Sequence, residues 1–327
     1  MNNHLTVVMY HYVKDVCDTE FTKINALGVK QFKTQIEYFE KHYKFVTVQD
    51  CIQAFYSNLR LADNSLLLTF DDGYIDMYDN VYPILKNKGI QGAFFIPGKP
   101  IKEGTVLNVN KIQHILATSH SDQDLLNKLK KYLEIYKNEF NLLPYSYYQN
   151  KYAKADYFDT ANVVFIKKML SYVLPLECRM LIVDDLFRAQ VTTNETSFSK
   201  SLYLDINKIK EMQENGMYIG CHGYEHHWLG EISNKEQVVD IEKSLDFLDS
   251  IGSPINDWAI TYPYESYNEN LIEIVKERGC KLGFIEEERI ANIEADDPFC
   301  IPRLDTNEFP PKSKKEISVW TEKIIHG

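Results

Sequence analysis

Leu66-Leu67-Leu68-Thr69-Phe70-Asp71-Asp72-Gly73-Tyr74 is the stretch on which the fold turns. Its uncharged first half reads as a strand buried on both faces, as strands of a parallel sheet are. Two carboxylates and a glycine follow at the carboxyl end, and a helix is expected from about Ile75 to Lys88, ended by Gly89. Outward from there, Leu5 to Met9 and Ala93 to Ile96 read as further strands. Phe32, Ile36, Phe39 and Tyr43 recur at helical spacing. The rhythm returns after residue 200. A helix from Asp205 to Asn215 stops at Gly216, and Met217 to Cys221 is a strand. Ser233 with Glu236 forms a capping box that opens a helix ending near Gly252. Trp258 to Thr261 is a strand, Asn270 to Arg278 a helix, and Lys281 to Ile285 a strand. Repeated strand–helix units imply a parallel sheet or a (β/α) barrel.

Between 104 and 200 the rhythm breaks. Asp124 to Phe140 and Ala161 to Leu174 are helical in pattern and no strand pair is visible. The reading is one domain over 1–327 carrying a helical insertion at 104–200, too long for a plain connection and so functional or a cap. Tyr145, Tyr147, Tyr148, Tyr152 and Tyr157 crowd it, as sugar-stacking, rim or interface residues.

The composition narrows the function classes. The chain has 327 residues, 44% hydrophobic and 25% charged, which is ordinary for a globular protein. Lys and Arg total 36 against 47 Asp and Glu, a net charge of −11, with no basic cluster. A phosphate-tracking surface needs concentrated positive charge, so no nucleic-acid partner is expected. No apolar run approaches the roughly 18 residues of a membrane span. The first residues carry no basic, signal-like region, and six cysteines lie far apart as reduced thiols do. A cytoplasmic location is the expectation.

Asp71 and Asp72 stand at the carboxyl end of a strand, where α/β folds build their sites, although an Asp there can simply cap the next helix. After another strand comes Cys221-His222-Gly223-Tyr224-Glu225-His226-His227-Trp228. His222 and His226 are four apart, so one helical turn would present both imidazoles on one side. Two imidazoles and a carboxylate are a common divalent-metal set that leaves positions open for water and substrate. Iron-dependent oxygenases use the same set, so the residue types alone leave that reaction class open.

Thr-Phe-Asp-Asp-Gly followed by His-x3-His resembles the polysaccharide deacetylases of carbohydrate esterase family 4, the NodB-homology enzymes. The resemblance covers roughly 1–100 and 200–310 and implies a distorted (β/α)7 barrel, which agrees with the strand–helix rhythm. It implies Asp72, His222 and His226 as ligands of a divalent metal, zinc foremost with Co2+ or Ni2+ as alternatives, and Asp71 as general base. Tyr262-Pro263-Tyr264 falls where the family's Arg-x-Pro-Tyr/Phe motif lines the groove. Tyr264 and Tyr262, with Tyr74, are thus candidate substrate contacts, and the Tyr264 N–H a candidate oxyanion donor. There are departures: Gly223 replaces a Ser or Thr, Thr261 the motif arginine, and Glu265 a glycine. No Leu-x-His motif follows residue 265. Met9-Tyr10-His11 resembles the first strand of the circularly permuted poly-N-acetylglucosamine deacetylases, which makes His11 the candidate general acid. Pro302-Arg303-Leu304-Asp305 resembles a late motif of the same relatives, with Arg303 orienting Asp71 and Asp305 orienting His11. The implied activity is hydrolysis of the acetamide of an N-acetylated sugar or glycan precursor. Other C–N hydrolysis, O-deacetylation and a non-catalytic sugar-binding barrel are the alternatives.

Overall fold

In the computed structural model, nine strands among the described residues form one sheet: β1 (His4–Tyr10), β2 (Lys44–Phe45), β3 (Ser65–Asp71), β4 (Gly92–Ile96), β5 (Tyr218–Cys221), β6 (Trp258–Thr261), β7 (Cys280–Glu286), β8 (Ala291–Asn292) and β9 (Ile301–Asp305). The structure describes residues 3–18, 20–57, 60–119, 121–155, 159–313 and 315–326. Tyr157 lies outside them. The order is β2-β3-β4-β5-β6-β7-β9-β1-β8, with β1 also paired to β3. That extra pairing, Leu5 opposite Ser65 through Tyr10 opposite Phe70, closes seven strands into a barrel. Every pairing within the barrel is parallel. The expected (β/α)7 barrel is the fold observed, with β2 and β8 as outlying strands.

The hydrophobic pattern explains the closure. All seven residues of β3 are buried, so its two faces meet the barrel interior and the surrounding helices. Alternate side chains (Leu5 and Val7, Leu67, Ala93 and Phe95, Ala259, Leu282 and Phe284, Ile301) join one buried cluster. Val48, Cys51 and Ala54 of the helix Val48–Tyr56 belong to it too. Because the strands run parallel, Tyr10, Asp71, Cys221, Thr261, Glu286 and Asp305 all end on the same rim.

The chain divides into two compact units. One holds the barrel and takes in the chain to Asp15, Ala26–Gly104 and Lys200 onward; the other comprises Val16–Asn25 and Thr105–Ser199. Among its described residues the second unit contains helices and no strand. Asp122–Tyr136 and Ala161–Lys168 are two of them, the latter continuing through a widened turn over Met169–Val173. Buried Lys111 is held there by Asp184 at 2.6 Å and Glu195 at 2.9 Å. Tyr148 is buried, and Tyr145 packs edge-on against Phe165. Both tyrosines therefore serve the unit's own packing.

Candidate metal centre

Asp71 is the last residue of β3, and the chain turns immediately after it. Asp72 and Gly73 both take left-handed backbone, φ 76° and 68°. A Cβ on Gly73 would lie 2.7 Å from Ile96 Cγ2, so glycine is required where the turn presses on β4. The turn brings Asp72 Oδ1 within 3.4 Å of His222 Nε2 and 3.2 Å of His226 Nε2. All three residues are buried.

His222 follows β5 directly, but 222–228 is a loop and not the helical turn expected from the spacing. His226 itself has φ 56°. The loop is folded back by Asp240 of the helix Asn234–Ser250, whose carboxylate accepts from Tyr224 N at 2.7 Å and Glu225 N at 3.1 Å. Gly223 has φ 66°, and a Cβ there would sit 3.2 Å from Asp240 Oδ1. A Ser or Thr would be strained and crowded, which accounts for the glycine. Asp240 was not singled out in the sequence. The signal available was a polar set, Gln237, Asp240 and Ser244, on the buried face of an amphipathic helix.

The donor set fits a small divalent cation. Zinc–nitrogen and zinc–oxygen bonds of about 2.0–2.2 Å in a tetrahedron put ligand atoms roughly 3.3–3.6 Å apart. The two separations from Asp72 Oδ1 lie close to that range, and all three ligand atoms lie within 4.8 Å of one another. Asp72 Oδ1 and His226 Nδ1 are buried without a hydrogen-bond partner, and an orphaned buried carboxylate oxygen calls for a positive partner. Burial would push the Asp72 carboxyl up, but the two imidazoles facing it hold it well below the usual carboxylate range. Burial pulls His226 below its ordinary value, whereas His222 is held above its own against burial by Asp71 and Asp72. The second oxygen, Asp72 Oδ2, accepts from the Tyr74 hydroxyl at 2.5 Å.

Asp71 faces different partners. Arg303 Nη1 of β9 lies 2.8 Å from Asp71 Oδ2, and the Thr261 hydroxyl of β6 donates to Asp71 Oδ1 at 3.2 Å. Arg303 and Asp71 are both buried, and Arg303 also donates to Thr69 Oγ1. Thr261 further contacts His222 Nδ1 through both its hydroxyl and its carbonyl.

The remaining candidates divide. His11 is the exposed residue between buried Tyr10 and Tyr12, just beyond β1. It is near enough for its charge to act on Asp72. Tyr264, φ 56°, stacks on Trp228 at 4.5 Å and meets His226 edge-on at 4.7 Å. Three expectations need correcting. Tyr262 is 2% exposed, with its hydroxyl 2.5 Å from where a Cβ on Gly283 would stand; it lines no groove. Tyr74 is 0% exposed, stacked on Tyr12 at 3.7 Å, and serves Asp72, not a substrate. Asp305 does not hold His11: its carboxylate accepts from Asn307 N at 2.7 Å and caps the turn that follows β9.

A parallel barrel with one carboxylate and two imidazoles converging at its strand ends defines the class, a barrel protein whose rim carries a side-chain set that could hold a metal ion. The polysaccharide deacetylase family model matches residues 59–139 and 190–283, more than half of the chain, and the chain belongs to that family. It is 29% identical over 100 residues to YxkH of Bacillus subtilis, a protein named for the same family. It is also 29% identical over 119 residues to the poly-β-1,6-N-acetyl-D-glucosamine N-deacetylase of Staphylococcus epidermidis. These matches take in 30% and 33% of this chain, and 33% and 40% of the two relatives. The same fold occurs in the Streptococcus pyogenes deacetylase PplD, solved in complex with acetate, at 18% identity, TM-score 0.58 and 93% coverage of each chain. The deacetylase domain of BpsB from Bordetella bronchiseptica shares it at 14% identity and TM-score 0.55, with 92% of this chain and 95% of that one covered.

Proposed function

We propose that this protein is a metal-dependent de-N-acetylase that hydrolyses the acetamide of an N-acetylated glycan. The observation that carries the reading is a second carboxylate, Asp71, held next to the Asp72–His222–His226 cluster by its own partners and outside the ligand set. An oxygenase site would have no use for it. A bound divalent cation, zinc foremost, would polarise the carbonyl and bring the pKa of a water toward ~7. Asp71 then takes the proton of the attacking water, while Arg303 and Thr261 fix its carboxylate in place. His11, at the mouth of the rim, gives a proton to the departing amine. The Tyr264 N–H donates to the oxyanion, and the Tyr264–Trp228 pair offers an aromatic wall against a sugar ring.

The staphylococcal relative's name points to N-acetylglucosamine polymers as the first substrates to try. The test is acetate release from β-1,6- and β-1,4-linked N-acetylglucosamine oligomers. Chelation should abolish it and Zn2+ restore it. His226→Ala should lose both metal and activity; unchanged metal content in that variant would remove the ligand assignment. Oligosaccharide binding without acetate release in metal-loaded protein would make this a sugar-binding barrel. The described structure has no helix long and apolar enough to cross a membrane. Cys51, Cys178, Cys221, Cys280 and Cys300 form no disulfide, which supports a reducing, cytoplasmic setting within the same reading.

A further inference from the structure

Thr261 stands where two functions of the site meet. It ends β6 and is fully buried. Its Oγ1 lies 2.6 Å from His222 Nδ1 and 3.2 Å from Asp71 Oδ1, and its carbonyl oxygen lies 2.9 Å from the same Nδ1. A hydroxyl has one proton to give and two lone pairs to offer, whereas a carboxylate paired with a guanidinium can only accept. The Thr261 proton therefore goes to Asp71. The hydroxyl oxygen must then accept, and His222 Nδ1–H is the donor within reach. That accounting places a proton on His222 Nδ1 and leaves Nε2, 3.4 Å from Asp72 Oδ1, as the ring nitrogen available to a metal.

We propose that Thr261 is a positioning residue that joins the general base to a metal ligand through one hydroxyl. The proposal rests on the metal reading above. Donation from imidazole to hydroxyl to carboxylate orients the His222 ring and enriches Nε2, the effect a directly bonded carboxylate has on a metal-ligating histidine. The same hydroxyl fixes Asp71 Oδ1 while Arg303 fixes Oδ2. Base and ligand are thus held to one geometry, which neither partner sets alone. Strand β6 is a firm support, paired to β5 through Cys221 and Ile260 and to β7 through Thr261 and Phe284.

Valine has the shape of threonine without the hydroxyl, and serine keeps the hydroxyl without the methyl. Metal-free wild-type, Thr261→Val and Thr261→Ser proteins are titrated with Zn2+ and Co2+ against a chromophoric chelator. Loss of an outer partner of a ligating histidine typically costs 10–100-fold in affinity. About tenfold is expected for Thr261→Val, the low end, because the carbonyl of residue 261 still accepts from Nδ1. Thr261→Ser should recover most of that loss. With an N-acetylglucosamine oligomer, Thr261→Val should lower kcat and leave KM unchanged, and serine should again restore it. Wild-type affinity in Thr261→Val overturns the proposal, and so does a serine variant as weak as valine. Should valine prevent folding, Thr261→Ala takes its place. A wild-type protein that binds neither metal overturns the metal reading beneath it, a separate result.

Discussion

Asp71 and Asp72 are neighbours in the chain with opposite surroundings. Asp72 turns to two imidazoles and a tyrosine hydroxyl, and Asp71 to a guanidinium and a threonine hydroxyl. The left-handed turn that begins at Asp72, directly after the last residue of β3, is what separates them. Asp71→Asn keeps the shape but cannot take a proton from water, so hydrolysis should fall to background with metal content retained. Loss of metal in step with activity would make Asp71 a ligand. These two residues and the two histidines were legible because each pair sits within a few residues at a strand end. Thr261 and Asp240 were not. Their roles come from partners 39 and 190 residues away for Thr261, and 16 and 15 for Asp240. Tyr74 and Tyr262 read as groove residues for a related reason: sequence shows an aromatic ring, whereas only packing shows which way it faces.

Among the elements, the His222–His226 loop shows how spacing can identify the right pair for the wrong reason. Four residues suit one helical turn, yet the ligands converge through a left-handed turn at His226 and the anchor on Asp240. The exit from β1 is built similarly. Asp76 Oδ2 accepts from Val13 N at 2.5 Å and Asn80 Nδ2 donates to Val13 O at 2.8 Å, pinning the chain two residues beyond His11. Burial pushes the Asp76 carboxyl up to about 6, against the pull of Lys14. Its unfolded value is near 3.9, so the native state holds the extra proton between about pH 4 and 6. This group's stabilising contribution is complete below about pH 4 and is lost as pH rises through 6. Asp76→Asn cannot ionise and its amide oxygen can still accept from Val13. The stability difference between variant and wild type should therefore shift by roughly 1–3 kcal/mol in the variant's favour from pH 4 to pH 7. Urea melts at the two pH values measure it, and parallel pH profiles would show that Asp76 does not titrate across this window.

On the scale of the whole molecule, the closing contact is also the functional one. β1 lies between β3 and β9, with Met9 opposite Asp305 on one side and Thr69 on the other. Strands from the two ends of the chain thus bring His11, Asp71 and Arg303 to one rim. The strand–helix rhythm made the barrel legible, since each unit is local. Which strands close it was legible only through the family resemblance, because no periodicity encodes a pairing across almost the full chain. The architecture makes a demand of His11. Its neighbours are pinned, Tyr10 by the Gln35 side chain and Tyr12 by the stack on Tyr74, so its backbone is fixed while its side chain stays exposed. A structural residue would be expected to have the reverse. General-acid catalysis typically contributes about 10²–10⁴-fold, so His11→Ala should lower kcat by that order with metal content and melting temperature preserved. Aryl acetates, whose leaving groups need little protonation, should be hydrolysed by the variant at a much smaller disadvantage. Wild-type kcat on an N-acetylated sugar, or an equal loss on both substrate types, would take the general acid away from β1.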